Sequence, residues 1–169
     1  MSVNVSPRQF RNDRFIEMVD DALRLSGLNG DQLMLEITEG ILMSDPEHAE
    51  QMLTQIAARG VRIAVDDFGT GYSSLVYLKR FPIAALKIDR TFIKDLPGSV
   101  KDAAICNVVL SLARHLDLLT VAEGVENDQQ LTYLSAQGCN LIQGFHTGRP
   151  MQPESVVEVL QTAAAALQH

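Results

Sequence analysis

Basic residues are scarce in this chain of 169 residues, where 14 lysines and arginines stand against 21 aspartates and glutamates for a formal charge of −7. That balance argues against broad electrostatic attraction to DNA or an anionic lipid surface and suits metal cations instead. Cysteine is nearly absent. Cys106 and Cys139 form no Cys-x-x-Cys pair and no larger framework, which excludes a disulfide scaffold and fits a reducing, cytoplasmic setting. No apolar run approaches the roughly 20 residues needed to span a bilayer. The start, MSVNVSPRQFR, lacks a charged-then-apolar secretory layout, so direct membrane insertion is not expected. Glycine-serine linkers, low-complexity tracts and blocks of like charge are missing too, and residues 1–169 therefore read as a single domain. What is present is 46% hydrophobic residues, enough for one sizeable core.

Those residues fall into short runs rich in β-branched side chains, alternating with longer amphipathic stretches, the pattern of repeated βα units on a parallel sheet. Six strands are predicted: Ser2 to Val5, Leu33 to Thr38, Val61 to Asp66, Ala84 to Asp89, Leu119 to Glu123 and Leu141 to Gln143. Helical spacing links Phe15, Val19, Ala22 and Leu23, then Ala49, Met52, Leu53 and Ile56, then Ile105, Val108, Val109, Leu112 and Leu116. A last helix is expected from Pro153 to Leu167. Asp45 followed by Pro46 resembles an N-cap with proline in the first turn, and Gly27, Gly60 and Gly138 sit where helices end.

Side chains alternate faces along a strand, so the apolar positions fix the direction of the polar ones. With Val3, Val5, Leu35, Ile37, Ile63, Val65, Leu86 and Ile88 toward the helices, Asn4, Glu36, Asp66 and Lys87 point the other way, as do Glu123 and Gln143. These polar residues cluster near strand C-terminal ends, where barrels of parallel strands build their active sites. Several acids meeting at one mouth, with Asp67 beside them, repel one another unless cations bind, and oxygen ligands favour Mg2+ or Mn2+. Such a site supports metal-assisted phosphoryl chemistry, with Lys87 holding a water or a developing oxyanion. The glycines of Asp66-Asp67-Phe68-Gly69-Thr70-Gly71-Tyr72-Ser73-Ser74 allow a tight loop with exposed N–H groups, its hydroxyls are candidates for donating to phosphate, and Glu39 is placed to cap it.

Six ordered motifs then carry a resemblance. Asn4-Val5-Ser6-Pro7-Arg8-Gln9-Phe10, Leu35-Glu36-Ile37-Thr38-Glu39, the Asp66 to Leu75 stretch, Leu86-Lys87-Ile88-Asp89-Arg90, Val121-Ala122-Glu123-Gly124-Val125-Glu126 and Gln143-Gly144-Phe145 together resemble the EAL domain of bacterial cyclic di-GMP phosphodiesterases. The resemblance implies an α/β fold, a TIM-like (β/α) barrel of the EAL type, and hydrolysis of cyclic di-GMP to the linear dinucleotide with two Mg2+ or Mn2+ ions. By it, Asn4, Glu36 and Asp66 ligate one metal, and Asp66 and Asp67 serve the second along with water held by Glu123. Lys87 positions or deprotonates the attacking water, Gln143 joins the same water network, and Glu39 anchors the loop from Asp67 to Ser74. The resemblance also places that loop at a dimer interface.

The match has gaps. No Glu-Ala-Leu tripeptide occurs in the 169 residues, and with it go a metal-ligand glutamate and the arginine that usually follows. A complete barrel has eight strands in about 250 residues, so the expectation is a barrel truncated at its N-terminus to about six βα units. Near the other end, Phe145-His146-Thr147-Gly148-Arg149-Pro150 departs from the usual pattern before the Arg-Pro pair. Open edges at Ser2 to Val5 and Leu141 to Gln143 predict either a homodimer or higher oligomer, with strand exchange as one route, or a chain that is marginal in isolation. Three functions compete on these residues: an impaired phosphodiesterase, a cyclic di-GMP receptor or dimerising regulatory module without turnover, and an unrelated metal-dependent barrel enzyme. Upstream sensor domains are frequent in the family, and a parent protein could be membrane-tethered through them.

Overall fold

The computed structural model describes residues 1–71 and 75–166. Six parallel strands lie side by side in chain order: β1 (Ser2–Asn4), β2 (Met34–Thr38), β3 (Arg62–Phe68), β4 (Ala85–Ile88), β5 (Leu119–Glu123) and β6 (Leu141–Gln143). The sheet curls into an open section of a (β/α) barrel, as the alternation of short apolar runs and helical stretches predicts. Among the described residues β1 and β6 each pair with one neighbour only.

Helices cover the outer face. They are α1 (Pro7–Phe10), α2 (Phe15–Ser26), α3 (Glu39–Ser44), α4 (Pro46–Ala57), α5 (Leu75–Arg80), α6 (Val100–His115), α7 (Asp128–Ala136) and α8 (Pro153–Ala166). Capping fixes several starts. The Asp45 side chain accepts from His48 N at the head of α4, with Pro46 in its first turn. Asn127 and Gln130 form a reciprocal capping box on α7. Gly27 ends α2 in the left-handed region at φ 69°, and Gly60 and Gly138 lie at positive φ beyond α4 and α7. None of the described helices is long and apolar enough to cross a membrane.

The core lies between sheet and helices. Leu35, Ile37, Ile63, Val65, Leu86 and Ile88 pack against Phe15 and Val19 of α2, Met52, Leu53 and Ile56 of α4, and Cys106, Val109 and Leu110 of α6. Each such side chain contributes about 1.5–3 kcal/mol when fully buried. The face of α6 differs from expectation. Ile105 and Val108 were expected on the core side yet are 40% and 66% exposed, and Cys106, Val109, Leu110 and Ala113 take the buried positions. A helix with apolar residues on most of its circumference offers two plausible stripes, and packing selects one.

On the inner face, small side chains form a floor. Ala64 and Ala85 are register partners and fully buried, each two residues before Asp66 or Lys87 on its strand and so on the same face. Between Val65 and Phe68 the ladder with β4 slips: Val65 pairs with Leu86 but Phe68 with Ile88, so three steps on β3 match two on β4. The expected strand stopped at Asp66; the bulge carries it on to Phe68.

Candidate metal-dependent active site

Alternation along β2, β3, β4 and β5 delivers Glu36, Asp66, Lys87 and Glu123 to the concave side. The Lys87 ammonium stands 2.5 Å from Glu36 Oε2, 2.6 Å from Glu123 Oε1 and 3.0 Å from Asp66 Oδ1. An ammonium has three protons to donate, and here each has a carboxylate. Lys87 is only 3% exposed. Burial by itself pushes its pKa down, but the hydrogen bonds it donates to Glu123, Glu36 and Asp66 together outweigh it and hold the lysine charged beyond its ordinary range. The expectation of a lysine free to hold water is therefore qualified, because all three donors are engaged in this arrangement.

Strict alternation would send Asp67 to the helix face. The bulge turns it back, with Asp67 at φ 53° in the left-handed region that aspartate tolerates better than most residues, and its N–H donating to Asp66 Oδ1 at 3.0 Å. Ligand atoms of Asp66, Asp67 and Glu123 consequently lie within 4.8 Å of one another. Desolvation, then the charges of Asp66 and Asp89, push the Asp67 carboxyl up. Desolvation also raises Glu123 despite the opposing pull of Lys87. Three carboxylates this close, with Asp67 and Glu123 both pushed up, fit a hard divalent cation, which would relieve that cost.

Glu39 starts α3 immediately after β2 and is buried. Its Oε2 accepts from Gly69 N at 3.0 Å, tying the loop after β3 to the head of α3. The hydroxyls of Tyr72, Ser73 and Ser74 lie outside the described residues. Asn4 and Gln143 occupy the open edges. Asn4 is the register partner of Glu36 and Gln143 that of Glu123, so both flank the cluster, yet both are exposed and neither hydrogen-bonds to it among the described residues. Arg90 and Gly124, which the parity reading did not single out, wall the cavity beside Glu123 together with Glu126 and Phe145.

The sequence pattern of the EAL domain matches residues 1–150. The chain belongs to the EAL domain family. This EAL domain is 46% identical over 157 residues to the bifunctional diguanylate cyclase/cyclic di-GMP phosphodiesterase MucR of Pseudomonas aeruginosa, covering 93% of this chain and 23% of that protein. It thus spans about a quarter of the length of that relative. The solved MucR phosphodiesterase in complex with c-di-GMP superposes with a TM-score of 0.89 at 46% identity over 92% of this chain and 63% of that one. The manganese and cyclic di-GMP complex of Klebsiella pneumoniae BlrP1 gives a TM-score of 0.78 at 31% identity, covering 85% of this chain and 37% of that one. The six strands are therefore a section of the EAL-type barrel.

Proposed function

We propose that this EAL domain hydrolyses cyclic di-GMP to the linear dinucleotide by phosphodiester cleavage assisted by two divalent ions, Mg2+ or Mn2+. One observation carries the reading: acids from β2, β3 and β5 converge on Lys87 of β4, and the bulge adds Asp67 to the same mouth. Relatives described as cyclic di-GMP phosphodiesterases, and the metal-containing nucleotide complex of BlrP1, support it. In this reading Asn4, Glu36 and Asp66 hold one ion, and Asp66 and Asp67, with water held by Glu123, hold the second. Ions so bound lower the pKa of a water and stabilise the leaving oxygen.

The protein's own groups do the rest. Lys87 holds the attacking water once a carboxylate lets go of it, and Glu123, whose side chain is the most exposed of its three partners at 19%, is the one placed to do so. Gln143, beside Glu123 in register, donates or accepts in the same water network. Glu39 fixes the loop after β3 through Gly69. A homodimer in the cytoplasm, with that loop at the interface, completes the proposal.

Turnover by the chain alone is proposed to be slow, because a metal-ligand glutamate of the Glu-Ala-Leu motif is not among its residues and each 1.36 kcal/mol of lost transition-state stabilisation is about tenfold in rate. The same absence favours a second reading, cyclic di-GMP binding without turnover. Chromatography of cyclic di-GMP incubated with the folded chain and Mn2+ or Mg2+ separates them. Linear dinucleotide that disappears in Asp66→Ala supports the enzyme. No product from a folded sample that still binds the nucleotide supports the receptor.

A further inference from the structure

Arg90, Gly124, Glu126 and Gly144 have no role in the cluster itself, yet they determine where its Glu123 stands. Glu123 ends β5, and the chain then turns sharply through Gly124 at φ +70°. A Cβ on Gly124 would lie 2.3 Å from Arg90 Cγ, 2.7 Å from Cδ and 2.8 Å from Cβ, so the aliphatic stem of Arg90 lies flat on the Gly124 backbone. At the far end of the same turn the Arg90 guanidinium meets Glu126 Oε1 at 2.6 Å. Arg90 thus holds the turn just after Glu123 at two points, Gly124 and Glu126.

The other side of the turn is held by β6 and its loop. Val125 N donates to Gln143 O at 3.1 Å and His146 N donates to Val125 O at 3.0 Å. Gly144 makes that approach possible, since a Cβ there would be 2.3 Å from Val125 N and 2.2 Å from Val125 O. The turn is therefore sandwiched between Arg90 and the Gly144 backbone, with a glycine at each contact. Arg90 itself opens a short 3-10 turn, Arg90–Phe92, capped by Asp89, and the Phe92 ring of that turn lies against Gly69. One short turn after β4 thus touches the loops that directly follow β3 and β5, the two strands that end on Asp67-Phe68 and Glu123.

We propose that Arg90 is a positioning residue, which acts through Gly124 and Glu126 to hold the Glu123 carboxylate against Lys87 and toward Asp66 and Asp67. It touches neither the cluster nor, in this proposal, the substrate. The ion pair alone is half-exposed and weak; the grip comes from the stem packed on a backbone that has no side chain to keep it away. Losing supports of this kind commonly costs about 10–100-fold in metal affinity.

The metal-dependent half of the proposal rests on the site reading above, so the test has two readouts. The first is the 15N-ammonium NMR signal of Lys87 in the metal-free protein, which senses its hydrogen bond to Glu123 without any ion. The second is Mn2+ affinity by titration. In Arg90→Ala the Lys87 signal shifts, its ammonium protons exchange faster, and Mn2+ binds about 10–100-fold more weakly, while circular dichroism shows the parent fold. Arg90→Lys, which keeps the stem and the charge, restores most of both. Arg90→Met keeps the stem only and gives a smaller change in the same direction; it carries the test if Arg90→Ala does not fold. A folded Arg90→Ala or Arg90→Met protein with the parent's Lys87 signal overturns the proposal. If the parent binds no Mn2+, the metal reading of the cluster fails, and the Lys87 signal alone decides the role of Arg90.

Discussion

Replacing Lys87 by methionine removes the one cation that, among the described residues, pairs with Glu36, Asp66 and Glu123, and leaves a side chain of similar length in its place. The three carboxylates now lie within 3.0 Å of the ammonium. Without it they face one another on the alanine floor with no compensating charge. Removing one partner of a buried ion pair costs about 3–5 kcal/mol, because the remaining charge stays desolvated and unpaired. Domains of this size have a total stability of about 5–15 kcal/mol, so the variant sits near the edge of folding. With about 2–4 °C of melting temperature per kcal/mol, the midpoint falls by roughly 6–20 °C. The assay is urea and thermal unfolding of parent and Lys87→Met at pH 7 in EDTA, repeated with Mn2+. A cation at about 100 times its dissociation constant returns about 2.7 kcal/mol. The deficit also shrinks as pH falls, because protonating the acids removes the repulsion that the lysine had masked. A Lys87→Met protein as stable as its parent in EDTA at pH 7 would refute the reasoning: the acids would not then need a cation, and the argument from their convergence to metal binding would fall with it.

Two further outcomes are expected. Burial pushes the Cys106 thiol up to about 12 from its ordinary 9.0, so folding favours the protonated form. The stability this provides is intact below pH 9 and lost as pH rises toward 12, about 4 kcal/mol at the limit. Alkaline unfolding of the parent should be steeper than that of Cys106→Ala, and thiol reagents should modify half-buried Cys139 well before Cys106; equal labelling rates would contradict this. At Gly71 an added Cβ would lie 2.8 Å from Glu39 Oε1 and 3.2 Å from its Cδ. Gly71→Ala should cost about 1–3 kcal/mol in chemical denaturation, and much less when Glu39→Ala is already present; an undiminished cost in the double variant would mean the clash is elsewhere.

Much of this site was legible because β2, β3, β4 and β5 carry aliphatic residues at alternate positions. Leu35 and Ile37, Ile63 and Val65, and Leu86 and Ile88 fix the parity of Glu36, Asp66 and Lys87 without reference to any coordinates, and all three are found on the concave face. Asp67 follows another rule. Period two assigns it to the helix side, and only the slip between Val65 and Phe68 brings it to Asp66 and Glu123. A bulge depends on pairing with a neighbouring strand, which a linear pattern does not contain. The short helices were equally hidden: α1 spans four residues, and α3 and α5 six each, too few for a 3.6-residue period to repeat. Helix α7 is nine residues with two buried side chains, Gln130 and Leu134, and its boundary is written in the Asn127 cap rather than in any apolar stripe. The contacts of Arg90 left no trace of that kind, since a glycine that admits a side chain from 34 positions away looks like any other turn glycine.

The strictly sequential order of the sheet has a bearing on how the chain comes together. Every strand pairs with the one made just before it, so no partner arrives late and each βα unit can dock as it is synthesised. Electrostatics works against the second of these steps, the pairing of β3 with β2. β2 and β3 bring Glu36 and Asp66 to the same side of the growing sheet, where they repel, and the residue that reconciles them is carried on β4. Arrival of Lys87 therefore turns an unfavourable pairing into a favourable one, and the fourth strand, rather than the first contact, is where assembly of these six strands becomes downhill.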